Sequence, residues 1–95
     1  MLTDIKYNSP VPFRDGVLSI QAGPYHYCYP KTETGPYTQF EVAYMVNDKF
    51  EKIPEWNNSG DQVYGFKDKQ DVKNLLMTEG YNVDDWSKIL PGEES

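Results

Sequence analysis

The stretch TQFEVAYMV, residues 38–46, decides the fold because its apolar and polar side chains alternate. Successive side chains of a β-strand point to opposite faces of a sheet. The pattern therefore predicts a strand with one face against a hydrophobic core and a turn at Asn47-Asp48. The core-facing side chains of this strand are Phe40, Val42, Tyr44 and Val46.

Further strands are predicted on both sides of this one. VLSIQA, residues 17–22, alternates in the same way and predicts a half-buried strand with Leu18 and Ile20 inward. YHYCY, residues 25–29, predicts a strand because tyrosine favours β-structure, and QVYGF, residues 62–66, predicts a short one. Residues 51–61 read as a loop.

A helix is predicted directly after the last strand. Asp68 is a good N-cap, and Asp71 suits the positive end of the helix dipole. Gly80 is typical of the residue that ends a helix. An apolar stripe at helical spacing is formed by Val72, Leu75 and Leu76.

Together these elements predict an α+β fold: a small antiparallel sheet of three to five strands with one main C-terminal helix packed on one face. We expect a single domain over residues 1–95, with an irregular N-terminus at 1–15 and a frayed tail at 91–95. Because the helix stripe is narrow, the rest of the sheet is expected to face solvent or a partner.

Composition restricts the function. The chain of 95 residues has 15% aromatic residues, including eight tyrosines, and a net charge of −6. Phosphate backbones repel an acidic surface, so we expect no direct nucleic-acid binding and favour a basic partner surface. No apolar run reaches the length of a signal peptide or membrane span, so we expect a cytoplasmic protein without a membrane partner.

Cys28 and His26 are the candidates for chemistry, being the single cysteine and the single histidine. On one face of a strand their side chains would stand about 6–7 Å apart, which is long for direct proton transfer. No recognisable metal-ligand spacing or Gly-rich phosphate loop is present. We therefore expect no catalytic residues, no metal and no cofactor, with Cys28 acting as a small buried hydrophobe.

Aromatic side chains are the candidates for binding. Tyrosine brings a large contact area with few rotatable bonds and a polar tip, which suits recognition surfaces. The same rings could equally fill the core of a chain that has few aliphatic residues. The candidate binding residues are Tyr25, His26, Tyr27, Tyr29, Tyr37, Tyr44, Trp56 and Tyr64.

Three segments, SIQAGPYHYCYP, YTQFEVAYM and DQVYGFKDKQDVKNLL, resemble a group of small uncharacterised proteins of tailed bacteriophages and some bacteria. The likeness covers residues 17–79, although residues 46–60 differ from the group's pattern. It implies a phage-like accessory protein in the host bacterial cytoplasm and supplies no activity. The matching residues are His26, Tyr27, Cys28 and Pro30, then Tyr37, Phe40, Glu41 and Val42, then Val63, Tyr64, Gly65 and Phe66.

The function expected from these features is non-catalytic binding of a host macromolecule, a protein partner, or a second copy of the chain. The alternative is a small-molecule binder for a nucleotide signal, with Tyr25, Tyr27, Tyr64 or Trp56 stacking on the base and residues 57–61 holding phosphate. A further alternative is a DNA-mimic inhibitor, which the lysines interspersed among the acidic residues disfavour.

Overall fold

The computed structural model describes residues 8–32, 35–56, 63–86 and 89–91. It confirms the α+β prediction: five strands form an antiparallel sheet and one helix follows them. The predicted frayed tail and the first seven residues lie almost wholly outside the described part. The elements are β1 (Val11–Phe13), β2 (Gly16–Gln21), β3 (Gln39–Val46), β4 (Lys49–Glu51), β5 (Val63–Asp68) and α1 (Lys69–Met77).

Strand β3, which the alternating sequence predicted, lies at the centre of the sheet. β2 pairs with one edge of β3, and β1 pairs with the outer edge of β2. β4 and β5 share the other edge of β3, with β4 opposite residues 44–46 and β5 opposite residues 39–43. The five strands therefore occupy four positions across the sheet.

The hydrophobic core lies between one face of the sheet and α1. Side chains of β2 and β3 that were predicted to point inward are buried, including Leu18, Ile20, Phe40 and Val42. They meet the predicted helix stripe of Val72, Leu75 and Leu76, which is buried as well. Burial of this apolar area is the main favourable contribution to folding.

Both ends of α1 form as the sequence predicted. The Asp68 side chain accepts a hydrogen bond from Asp71 N at 2.8 Å, and the Asp71 side chain accepts one from Asp68 N at 3.2 Å. At the other end, Gly80 has a φ of 76° and its N–H bonds to Met77 O. Tyr81 N bonds to Leu76 O, which completes a Schellman motif.

The sequence did not predict two short strands and predicted one strand that does not form. Residues 11–13, expected to be irregular, form β1, and residues 49–51 form the unpredicted β4. Residues 25–29, expected to be a strand, form turns and bends instead, and Tyr29 alone makes a bridge to Gln39. Within this segment, the N–H groups of His26 and Cys28 bond to nearby backbone carbonyls, and that of Tyr27 bonds to the Glu41 carboxylate.

The turn between β1 and β2 contains Arg14, which has a positive φ of 51°. Gly16, at the start of β2, approaches β3 closely. A Cβ on Gly16 would lie 1.9 Å from Met45 O.

Arg14 joins three parts of the fold. Its guanidinium donates hydrogen bonds to both carboxylate oxygens of Glu55, to Glu79 Oε2 at 2.8 Å and to Thr78 Oγ1 at 3.1 Å. The hydrogen bonds from Arg14 lower the pKa of the Glu55 carboxyl below its ordinary value of 4.5. The β1–β2 turn is thus tied to the segment after β4 and to the end of α1.

Replacing Arg14 by methionine should lower the free energy of unfolding by about 1 kcal/mol at neutral pH, because the ion pairs are partly solvent-exposed. The lowered pKa of Glu55 means that this stabilisation is complete above about pH 4.5 and is lost as pH falls through the lowered value. Urea denaturation of both proteins at about pH 7 and about pH 3 measures the difference. A stability difference between the two proteins that grows on acidification would contradict this account. Arg14→Lys keeps the charge without the planar guanidinium group, so its free energy of unfolding should lie between those of the parent and Arg14→Met.

Candidate functional site

The tyrosine loop, defined as residues 23–31, lies between β2 and the segment leading to β3. Tyr25, Tyr27 and Tyr29 are 82%, 57% and 61% exposed. Cys28 is fully buried and His26 is half-buried. The tyrosine rings are therefore exposed on the side of the loop away from Cys28, although the segment is not a strand.

Cys28 fastens the loop from inside. Gly23 N donates to Cys28 Sγ at 3.3 Å, and Sγ lies 3.2 Å from Gly23 O and 3.6 Å from Pro30 O. The thiol thus contacts residues near both ends of the loop. Within the described residues, no hydrogen bond joins this thiol to the imidazole of His26.

Glu41 fastens the loop from the sheet. Its Oε1 lies 2.9 Å from His26 Nδ1, and its Oε2 accepts a hydrogen bond from Tyr27 N at 3.1 Å. The side chain of Glu41 points away from the core because its neighbour Phe40 points into it. One carboxylate therefore holds both a side chain and a backbone group of the loop.

A bulge in the sheet supplies a further exposed ring. The β3–β5 register shifts between Phe40 and Val42, which leaves Gly65 and Phe66 opposite Glu41. Phe66 has a φ of 56°, is 47% exposed, and donates its backbone N–H to Tyr27 O at 2.9 Å. A left-handed conformation is unusual for a bulky residue and occurs where surrounding contacts enforce it.

The bulge and the loop fit closely against one another. A Cβ on Gly65 would lie 2.7 Å from Tyr27 Cβ, so a side chain at this position would push the loop away. The ring centroids of Tyr27 and Phe66 are 6.3 Å apart. Sequence reasoning missed Phe66, yet a lone glycine within a strand is a recognised indication of a bulge. The exposed ring surface is defined here as Tyr25, Tyr27, Tyr29 and Phe66.

Three other predicted binding residues are core residues. Tyr37, Tyr44 and Tyr64 are buried, and their hydroxyl groups bond to backbone atoms. The Phe13 ring packs against Tyr44, with centroids 5.4 Å apart. These rings belong to the interior and are not part of the exposed ring surface.

Trp56 is half-buried against Tyr64, at a centroid distance of 5.5 Å. Ile53, from the same segment, is buried in the core and donates its N–H to Tyr64 Oη at 2.9 Å. The described ring contact of Trp56 is with Tyr64 and not with the tyrosine loop. Trp56 therefore packs the segment after β4 against the core.

The face of the sheet opposite the helix carries a shallow groove of about 270 Å³. Ser19 and Gln21 at its floor are buried, and Gln21 exchanges hydrogen bonds with the backbone of Asn8. The sequence predicted that β2 is half-buried, with Leu18 and Ile20 on its inward face. Ser19 and Gln21, on the opposite face, are also buried, so this face of β2 is less exposed than predicted. The lining residues are Ser19, Gln21, Glu41, Ala43, Met45, Phe50 and Val63.

The described residues offer little for metal, phosphate or membrane binding. The described ranges contain no group of three or more His, Cys, Asp or Glu side chains that could hold a metal ion. Residues 57–61, suggested for phosphate, lie outside the described part. None of the helices described is long and apolar enough to cross a membrane.

Comparison with known proteins finds no matching family model, no similar curated protein and no similar solved structure. The function must therefore be inferred from the chain's own geometry.

Cys28 should act as a structural residue. Because the thiol is buried and bonded to backbone atoms, thiol reagents should react with it far more slowly in buffer than in denaturant. Replacement by alanine should cost about 1–2 kcal/mol, from lost contacts and unpaired backbone groups. Replacement by serine should preserve ligand or partner binding. Rapid reaction of Cys28 with a thiol reagent in the folded protein would indicate a chemical role instead. Loss of binding in a folded Cys28→Ser variant would indicate the same.

Proposed function

We propose that this chain is a non-catalytic binding protein, a phage-encoded accessory protein that engages a host protein in the bacterial cytoplasm through the exposed ring surface. The observation that carries the proposal is a set of exposed aromatic rings on a loop whose anchors are buried or paired. A loop that is already ordered loses little conformational freedom on binding. Aromatic rings also contribute most of the energy at many protein interfaces.

The distribution of exposed apolar side chains supports this location. Seven large hydrophobic side chains of the described residues are exposed. Four of these seven are the exposed ring surface, and all four belong to the tyrosine loop or to the bulge beneath it. Single exposed hydrophobic residues are ordinary, whereas a local concentration marks an interaction site.

Charge favours a protein partner over a nucleic acid. Exposed rings stack on bases in proteins that bind single strands, but those proteins add a positively charged groove. This chain has a net charge of −6. A phosphate backbone would be repelled, whereas a basic protein surface would be attracted. Self-association through the same rings is the other way to cover them, and sedimentation distinguishes it.

The direct test is co-purification from host lysate with a tagged protein. Changing Tyr25, Tyr27 and Tyr29 together to serine should abolish partner recovery while the protein stays folded, because these rings are exposed. The matched control is Phe50→Ser with Tyr81→Ser, which alters exposed rings elsewhere and should leave recovery unchanged. No enriched partner together with a monomer in sedimentation, or equal losses in both variants, would refute the proposal.

Gly65→Ala tests whether loop position matters as well as ring identity. The variant keeps every ring, but its new methyl group would overlap Tyr27 Cβ. We expect partner binding to weaken roughly tenfold, since misplacing anchors by about 1 Å loses complementarity, at a stability cost of about 1–3 kcal/mol. Heteronuclear NMR should show shifts confined to the loop and bulge. Unchanged binding despite those shifts would mean that loop position is unimportant.

A small-molecule binder is the second candidate, favoured by the groove of about 270 Å³ on the open sheet face. The groove is lined by the polar residues Ser19, Gln21 and Glu41 beside apolar side chains. Stacking by Tyr64 is not available to such a ligand because that ring is buried. A thermal-shift panel of nucleotides tests this candidate, and the absence of a shift with every member would remove it.

A further inference from the structure

The exposed ring surface already holds a cation. Lys31 Nζ lies 5.6 Å from the ring centroid of Tyr27 and 6.0 Å from that of Phe66. The faces of aromatic rings carry negative potential and attract cations within about 6 Å. Lys31 is the last residue of the tyrosine loop and is itself exposed. The two rings and the ammonium group thus form a cation site at the surface.

Other ring–cation contacts in the protein differ from this one. Arg14 covers Phe13, Lys67 covers Trp56 and Lys69 covers Trp86. In each of these contacts the cation faces a ring that is buried or half-buried. Among the described contacts, Lys31 is the cation shared by two exposed rings. A ring pair that remains accessible around its cation can exchange that cation for one from outside.

We propose that the Tyr27–Phe66 pair is a docking site for an arginine side chain from a basic segment of the partner protein, and that Lys31 occupies the site until that segment binds. The proposal rests on the proposed function and names the chemistry of its partner. Charge complementarity selects a basic segment, because the chain has a net charge of −6. The Glu41 carboxylate, which accepts a hydrogen bond from Tyr27 N at 3.1 Å, adds a negative charge near the site.

Arginine suits the site better than the resident lysine. A guanidinium group is planar, stacks on aromatic faces and is more weakly hydrated than an ammonium group. Lysine has a long flexible side chain, so Lys31 can leave the rings without a change in the backbone. Exchange of one cation for another preserves the ring attraction. Lys31 therefore acts as a competitor for the site, and its removal should strengthen binding of arginine.

The test uses an acetylated, amidated peptide of alternating arginine and glycine, with lysine and glutamate versions as matched probes. Binding is followed by NMR shifts of the Tyr27 and Phe66 rings at physiological salt, which screens long-range attraction. The arginine peptide should bind more tightly than the lysine peptide, and the glutamate peptide should not bind. Lys31→Ala should bind the arginine peptide roughly two- to fivefold more tightly, the size of an exposed cation–π contact.

Control variants separate the site from general charge. Lys49→Ala removes the same charge from exposed strand β4 and should have less effect than Lys31→Ala. Tyr27→Leu and Phe66→Leu keep apolar area without an aromatic face and should each weaken binding roughly two- to fivefold. Tyr27→Phe keeps the aromatic face and should bind the arginine peptide more tightly than Tyr27→Leu does.

The opposite sign for Lys31 would overturn the inference. If Lys31→Ala weakened binding, or if the glutamate peptide bound and lost affinity in that variant, Lys31 would be a contact for an acidic partner. Equal arginine-peptide binding by the parent and Tyr27→Leu would also overturn it, as would equal gains from Lys31→Ala and Lys49→Ala. The proposed function can survive such a result. If the triple tyrosine variant still failed to recover a partner from lysate, the exposed ring surface would remain a binding site, but its partner would not be recognised through arginine.

Discussion

Phe40→Ala should lower the free energy of unfolding by about 3–5 kcal/mol. Phe40 is fully buried in the central strand β3, and its ring packs 6.4 Å from that of Tyr37. Removing it takes away apolar contact area and leaves a cavity that a sheet paired on both sides cannot easily close. Because small domains are stable by only about 5–15 kcal/mol, the variant should be close to unfolding at physiological temperature.

Urea denaturation followed by tryptophan fluorescence measures this effect, and Phe50→Ala provides the matched control. Phe50 also lies on a strand paired with β3, but its side chain is 46% exposed. The control should change stability by about 0.5 kcal/mol or less. Similar losses in the two variants would mean that the described core is incorrect.

Gly16→Ala should cost about 2–3 kcal/mol, although it adds a single methyl group. The new Cβ would lie 1.9 Å from Met45 O and 3.0 Å from Val46 Cα. Both are backbone atoms of β3, so no side-chain rotation relieves the overlap. The start of β2 must move away from β3, which should appear as faster amide exchange along this pair of strands.

Gly80→Ala is the comparison for that variant. Gly80 has a φ of 76°, but open space surrounds the position of the missing Cβ. The expected cost is about 1–2 kcal/mol, from the left-handed backbone alone, with exchange altered at the end of α1 rather than in the sheet. If Gly16→Ala were as stable as the parent, the close contact between β2 and β3 would be disproved.

The elements that could be predicted are those whose signals are local. β3 alternates over its full length, and α1 has a capping aspartate, a stripe and a terminal glycine within one segment. β1 and β4 have three residues each, too few to display a period, and they form because a turn brings them beside a longer strand. Their existence is decided by tertiary pairing.

The candidate site could be predicted only in part. Composition identifies the tyrosines but does not decide which of them are buried. Tyr44 and Tyr64 are core residues since they share the apolar face that includes Val42, with which Tyr64 is paired. Tyr25 and Tyr27 have the same chemistry but lie on a loop fixed from beneath. The anchoring role of Glu41 depends on contacts between segments that are distant in the chain, which no local pattern contains.

The outer strands of the sheet restrict how a partner can bind. β1 has Pro12, which lacks an N–H, and β4 has Lys49 and Glu51 at its two ends. β5 is longer, but it is bulged, and its Phe66 N–H is already bonded to Tyr27 O. Short, charged, bulged or proline-containing edges resist addition of a strand from another chain. Fibril-like stacking of copies is thereby discouraged, and recognition is left to side chains.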